Sequence, residues 1–417
     1  MSSFSIPLSG LAASQEALNI ISNNLANLNT TGYKDQTANF QSLFYQNLGT
    51  TGAGDPIQVG AGSEVGAVST SFTNGGVNNT GVPSDVAITG NGFFITQLGN
   101  GTVEYTRAGN FSVNSSGQLV ATDGATVMGY PAVNGVVNQS GTLAPIQVGQ
   151  SAISPPAATT TMQQQTNLNS AATVGTTYSN PLTVYDSLGE PHVLTFNYTN
   201  TGAGAWSYTI TLPAADTGGT GGPTTIASGN LTFDANGNLT SPTGSVPGIT
   251  VSGLADGAAT MNLTWNLTGP NGTSLMTQVS SPSATTSTSQ DGYGAGILQS
   301  YTVQSDGTVE GQFSNGQVQA LGQIALANFP NTDGLQRTGG GNYAPTLASG
   351  AAVVGAPQSG GLGSLTGGAL EASNVDISTE FTNLIVTQRG FEANARVITT
   401  LDTVTNTTIN LQASPGN

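Results

Sequence analysis

The 417-residue chain contains no cysteine, one histidine and five basic residues. Without cysteine there can be no disulfide and no thiolate metal site, and a single imidazole cannot build a histidine-cluster zinc site. A serine triad would have to run through His192. That residue sits in GEPHVLTF, which reads as a strand histidine beside a turn. No catalytic residue, metal or cofactor is expected. Charged residues make up only 6% of the chain, against about a quarter in ordinary globular proteins. The net charge of −16 sets 21 acids against Lys34, Arg107, Arg337, Arg389 and Arg396. So few bases cannot neutralise a phosphate backbone, which excludes nucleic acid as a partner and disfavours an anionic membrane surface. No apolar run approaches the ~18 residues of a membrane span, so no membrane insertion is expected. The start, MSSFSIPLSGLAAS, lacks the basic and apolar regions of a secretory leader. The composition nonetheless looks extracellular, so the expectation is export without a cleaved signal peptide.

What fills the chain is Gly, Ser, Thr and Asn, with Val, Ile, Thr and Tyr at strand spacing. The two ends differ. Phe4, Leu11, Leu18 and Leu25 recur every seven residues, with Ile21 and Leu28 on a companion row. Ile377, Leu384, Phe391 and Ile398 do the same near the C-terminus, with Phe381, Ala395 and Ile409 alongside. A further stripe of Val397, Leu401, Val404 and Leu411 lies on another face. These are the narrow seams of coiled coils. Helices over residues 4–28 and 374–411 would be roughly 35 and 55 Å long. Asn374 or Ser373 is the expected N-cap, with Asp376 in the first turn. Periodicity leaves two readings open. The ends could pair within one chain, or they could stay incompletely ordered until other subunits cover the second stripe.

Between the ends the pattern is β. FSVNSSGQL (111–119), LTFDANGNL (231–239) and YTVQSDGTV (301–309) share one template: two alternating strands around an Asn/Ser/Asp turn that closes on glycine. DANGNL has too few ligands for a calcium loop. Residues 145–180 and 280–296 are Pro-, Ser- and Thr-rich and read as loose connectors. They bracket a segment with its own strand runs (LTVYDSL, HVLTFNY, WSYTITL) and with Trp206 and Trp265, expected in its core. Residues 145–284 contain five acids and no Lys or Arg. The fold class expected is mainly β with long terminal α-helices: a discontinuous multidomain chain with a β-rich middle, an inserted β-domain and paired termini.

Three segments, in order, carry a resemblance. SGLAASQEALNIISNNLANLNTTGYK, VAITGNGFF with YTRAGNFSVNSSGQLVATDGATVMGY, and ALEASNVDISTEFTNLIVTQRGFEANARVITTLDTV are similar to the shared signatures of the bacterial flagellar rod and hook axial family. Rod members are shorter. An insert of this length resembles the hook-forming branch, with a distal rod subunit as the nearest alternative and an extracellular adhesin a more distant one. The resemblance implies a curved hollow tube of many copies that acts as a universal joint. Its partners would be itself, the rod at one end, hook-filament junction proteins and the hook cap at the other, and the flagellar export apparatus.

On this reading residues 1–30 with 372–417 form a helical core, and 31–72 with 358–371 a connector. Residues 73–144 with 285–357 form the β-rich middle, and 145–284 the outer insert. The polymerisation core would use Leu11, Leu18, Ile21, Leu25 and Leu28 with Ile377, Phe381, Leu384, Phe391, Ile398 and Leu401. Asn29, Thr30, Gly32, Tyr33 and Lys34 would begin the connector, with Lys34 in an exposed ion pair worth ~0–1 kcal/mol. Hinges are expected near 49–54 and 359–368.

Overall fold

The computed structural model describes residues 4–51, 55–149 and 152–412. The chain divides into two compact units. Unit 1 comprises residues 1–149, 300–311 and 319–417; unit 2 comprises 150–299 and 312–318.

Unit 1 carries both helices. Helix α1 (Ser5–Ala26) and helix α2 (Ile377–Gln412) run antiparallel. Gly10 lies against Asn394 and Gly390 against Ser14, so the register holds along the pair. Of the two readings left open by periodicity, pairing within the chain is the arrangement observed, with each helix continuous over its span. The N-cap of α2 is Asp376, two residues beyond Asn374 and three beyond Ser373: its Oδ1 accepts the Thr379 amide at 2.8 Å. Among the described residues no helix is long and apolar enough to cross a membrane.

After α1 the chain makes two nested hairpins. β1 (Gln36–Ser42) pairs with β4 (Ser63–Thr70), bulged at Asn39/Phe40, and β2 (Gln46–Thr50) pairs with β3 (Pro56–Val59). The hinge expected at 49–54 is therefore partly strand, and its residues 52–54 lie outside the described residues. The rest of unit 1 is a β-domain in which strands 318–324, 126–133, 93–97, 103–106, 342–344 and 336–339 are neighbours in that order. Alternation along a strand sends adjacent phenylalanines to opposite faces. Phe94 meets Phe111 in one core, while Phe93 meets Phe329 and Tyr343 in the other. The second expected hinge also belongs here. Ser364–Gly367 pairs with Val86–Thr89, and Leu362 and Leu365 are buried.

Unit 2 has two five-stranded sheets over one core. Strands 177–185, 191–202, 205–212, 224–233 and 239–241 form a meander, and 161–167 lies inside the second sheet. Trp206 and Trp265 are fully buried, and the Trp265 ring stands edge-on to Phe196 at 5.1 Å and Tyr208 at 5.2 Å. His192 is on a strand after a turn, as read from the sequence. The supposed connectors are instead folded. Met162, Gln164, Thr166 and Leu168 are buried, and Ala284–Gln290 pairs with Thr161–Asn167. That pairing carries the insert beyond residue 284, so its observed edges are 150 and 299. A Ser/Thr-rich composition suits a half-buried strand as well as a linker.

The three template segments are all hairpin turns. Gly117, Gly237 and Gly307 have φ of +79°, +81° and +84°, which an L side chain resists. In the first two, Asn114 and Asp234 each accept two backbone amides across the turn. That accounts for Asp234 without calcium, and its carboxyl is held below the usual range by those bonds.

Candidate functional site: the helix pair and its charged joint

The asparagine-rich end of α1 is built to hold on to the strand that follows. Asn24 is fully buried, where an amide requires partners. Its Nδ2 donates to the Gln36 carbonyl at 2.7 Å, and its Oδ1 accepts the Gln36 amide at 3.0 Å, imitating a ladder rung. The Tyr33 hydroxyl donates to the same Oδ1 and accepts from Asn23. Burial raises the Tyr33 pKa, against the opposing pull of Arg337. Asn29 and Thr30 are exposed, whereas Gly32, Tyr33 and Lys34 are buried. Gly32 has φ +66° and donates to the Glu371 carbonyl at 2.8 Å; a Cβ there would stand 2.6 Å from the Arg107 carbonyl carbon.

Lys34 is not the surface cation anticipated. Its side chain is 0% exposed, and Nζ donates to Glu371 Oε1 and to the Thr73 carbonyl, each at 2.7 Å. The Gly75 amide reaches the same Oε1 at 2.9 Å, and Arg107 Nη1 lies 3.5 Å from Oε2. Arg107 also donates to the Gly90 carbonyl and covers the Phe93 ring. Arg337 donates to the Lys34 carbonyl at 2.6 Å and lies over Tyr33 and Tyr343. Three of the chain's five basic residues thus meet at one point. Burial lowers the pKa of Lys34 and of Arg107, and Glu371 pulls both back up. Sequence reasoning expected an ion pair at Lys34 but missed its partner and its burial, because nothing local links residue 34 to residue 371. A lysine isolated in an acidic chain was the one available signal.

The helix pair buries less than its stripes offer. On α1 the buried line is Ala13, Ala17, Ile20, Ile21 and Asn24. Of the residues expected in the core, Ile21 is buried, and Leu11, Leu18, Leu25 and Leu28 are only half-buried. Small alanines let α1 approach its neighbours closely, and the leucine seam falls at the margin of the contact. On α2, Leu384, Phe391, Ile398 and Leu401 are half-buried, while Ile377 and Phe381 are exposed at 46% and 50%. Ile385, Val386, Val397, Val404, Ile409 and Leu411 are exposed as well. One intramolecular partner leaves much of the apolar surface of α2 in water. Glu380 is buried beside this seam with Oε2 unpaired, and its pKa is raised by burial against a hydrogen bond from Asn24.

Comparison with known proteins bears on what such a helix pair belongs to. Four family models match: flagella basal body rod protein at residues 6–34, the flagellar hook protein FlgE/F/G D1 domain at 87–167, the flagellar basal body protein FlaE D2 domain at 156–293, and the flagellar basal body rod FlgEFG protein C-terminal region at 366–411. The flagellar hook protein FlgE of Salmonella typhimurium is 40% identical over 98% of this chain and 100% of its own length. The chain belongs to the flagellar hook protein FlgE family. The Escherichia coli hook protein is 37% identical with the same coverage, and that of Treponema pallidum is 33% identical over 97% of this chain and 98% of its own. The crystal structure of Helicobacter pylori flagellar hook protein FlgE2 matches in fold, with a TM-score of 0.50 at 16% identity over 71% of this chain and all of that one. The rod and C-terminal models fall on α1 and α2, the elements that close at Lys34–Glu371.

Proposed function

We propose that this chain is the structural subunit of a bacterial flagellar hook, polymerising into a curved hollow tube that passes torque from rod to filament. The observation that carries the reading is α2, whose second apolar face leaves Val397, Val404 and Leu411 exposed among the described residues. Covering each such Leu, Ile or Phe contributes about 1.5–3 kcal/mol, and other copies of the chain are the natural source of cover. The polymerisation core is Leu11, Leu18, Ile21, Leu25 and Leu28 with Ile377, Phe381, Leu384, Phe391, Ile398 and Leu401. Ile377 and Phe381, already exposed, are its between-copy positions.

A joint that bends as it turns needs two kinds of interface. Inner contacts must be apolar and continuous, whereas outer contacts must break and reform, so polar and wet ones suit them. The helices supply the first. Unit 2, without a single Lys or Arg, supplies the second. Within unit 1, residues 1–30 with 372–417 act as the helical core, 31–72 with 358–371 as the connector, and 73–144 with the unit 1 part of 285–357 (300–311 and 319–357) as the β-rich middle. The remaining partners are the rod, the junction proteins, the cap and the export apparatus. The chain acts outside the cell, as part of the flagellum.

The deciding experiment is electron microscopy of polymers grown from the full chain and from a chain lacking residues 156–293. The shortened chain is expected to form tubes of altered curvature or stiffness. Tubes with unchanged bending would remove the role given to unit 2, and a full chain that stays monomeric at high concentration would remove the whole reading.

A further inference from the structure

The one histidine of the chain faces carboxylates on both ring nitrogens. His192 Nδ1 lies 2.9 Å from Asp216 Oδ2, and Nε2 lies 3.3 Å from Asp186 Oδ2 and 4.0 Å from Asp256 Oδ2. These acids come from separate segments: Asp186 from the turn before strand 191–202, Asp216 from the short helix 214–217, and Asp256 from the loop after strand 245–251. Asp186 is fully buried and His192 nearly so. The second oxygen of Asp186 is already taken by the amides of Leu188 and Glu190. The Glu190 side chain is exposed, and no Lys or Arg occurs between residues 145 and 284 to share the charge. A neutral imidazole has one N–H and one lone pair, so with either tautomer one nitrogen would point its lone pair at a carboxylate. Only the imidazolium donates on both sides.

We propose that His192 is a proton-operated staple: protonated, its ring ties the 186–190 turn, the 214–217 helix and the 254–259 loop together at one end of unit 2, and deprotonation releases them. Backbone amides also join these segments by hydrogen bonds. The Ala255 amide donates to the Asp216 carbonyl at 2.8 Å, and the Ala259 amide to Ser187 Oγ at 3.0 Å. The sign follows from linkage. The His192 pKa is raised, its carboxylate contacts outweighing the burial that opposes them. A raised folded pKa gives stability that is complete below the unfolded value of about 6.5 and lost as pH climbs through the folded midpoint. The low side is bounded by Asp186, whose pKa is lowered despite its burial, so its own contribution goes only when the pH falls through that carboxyl's range.

With one histidine in the chain, the imidazole Cε1 proton gives a single resonance, and the test needs no residue assignment. The full-length monomer is titrated by NMR from pH 5 to 9 in the presence of EDTA. The expected midpoint lies above the free-imidazole value of about 6.5, and Asp216→Asn, which removes a carboxylate facing Nδ1, brings it down. Hydrogen exchange at the 254–259 amides of the wild type is expected to outrun its intrinsic pH dependence above that midpoint. A wild-type midpoint at or below 6.5 overturns the proposal without recourse to any variant. So does a midpoint indifferent to Asp216→Asn. A resonance that broadens or shifts when EDTA is replaced by micromolar zinc at neutral pH would mean that a cation, not a proton, closes the ring, and would also overturn it.

Discussion

Lys34 Nζ donates to Glu371 Oε1 at 2.7 Å across 337 residues of sequence, with both side chains withdrawn from water. This contact fastens the exit of α1 to the approach of α2. It sets the starting point from which the two helices run side by side. A buried pair of this kind adds little over an apolar substitute, but removing one partner strands the other charge.

The first prediction tests that asymmetry. Glu371→Gln is expected to destabilise unit 1 by about 3–5 kcal/mol, read from denaturant melts. The double replacement Lys34→Met with Glu371→Leu should recover much of the loss. A single mutant as stable as the wild type would show that the pair does not hold the joint.

A second prediction concerns Gly32. Alanine there must adopt φ +66° and meet the Arg107 backbone at 2.6 Å, so Gly32→Ala should cost more than the ~1–3 kcal/mol of backbone strain alone. Gly340→Ala is the matched control. It has φ +61° but no atom within 4 Å of a Cβ, and should cost the strain only. Equal losses in thermal melts would deny the close approach at residue 32.

Glu380 yields a prediction with a definite pH sign. Its pKa is raised, so the folded chain holds this proton more tightly than the unfolded chain. Stability is then highest below the unfolded carboxyl value of about 4.3 and declines as pH rises through the folded value. Glu380→Gln should raise stability at pH 7, by roughly 1–3 kcal/mol if the orphaned Oε2 bears the full desolvation cost. The gain should vanish near pH 4. A gain independent of pH would point elsewhere.

Phe381 separates folding from assembly. It is half exposed in the single chain, so Phe381→Ser should leave the monomer's melting within ~0.5 kcal/mol of wild type. Polymer growth, followed by light scattering, should slow or stop. Normal growth would remove Phe381 from the between-copy surface.

Much of this architecture could be read in advance, for reasons that differ by element. The helices announced themselves through sevenfold spacing, and the three hairpin turns through glycines that no other residue replaces comfortably. Both tryptophans went to the core because large apolar rings have few other places to go. The connectors were misread because Ser and Thr serve strands and linkers alike, and burial at Gln164 and Thr166 depends on a partner sheet far along the chain. The α1 contact face was misjudged for a related reason: Ala13 and Ala17 matter by being small, and a search for large apolar residues passes over them. The Lys34–Glu371 joint and the carboxylates around His192 join residues that no local window contains.

Because the pairing partner of Lys34 lies 337 residues further along, a polypeptide emerging amino-terminus first carries an unpaired lysine behind α1 until the segment before α2 has followed. Prematurely terminated products would display α1 with no charge to neutralise the lysine behind it. The joint therefore closes late, after the whole of the β-rich chain between its two partners has followed α1.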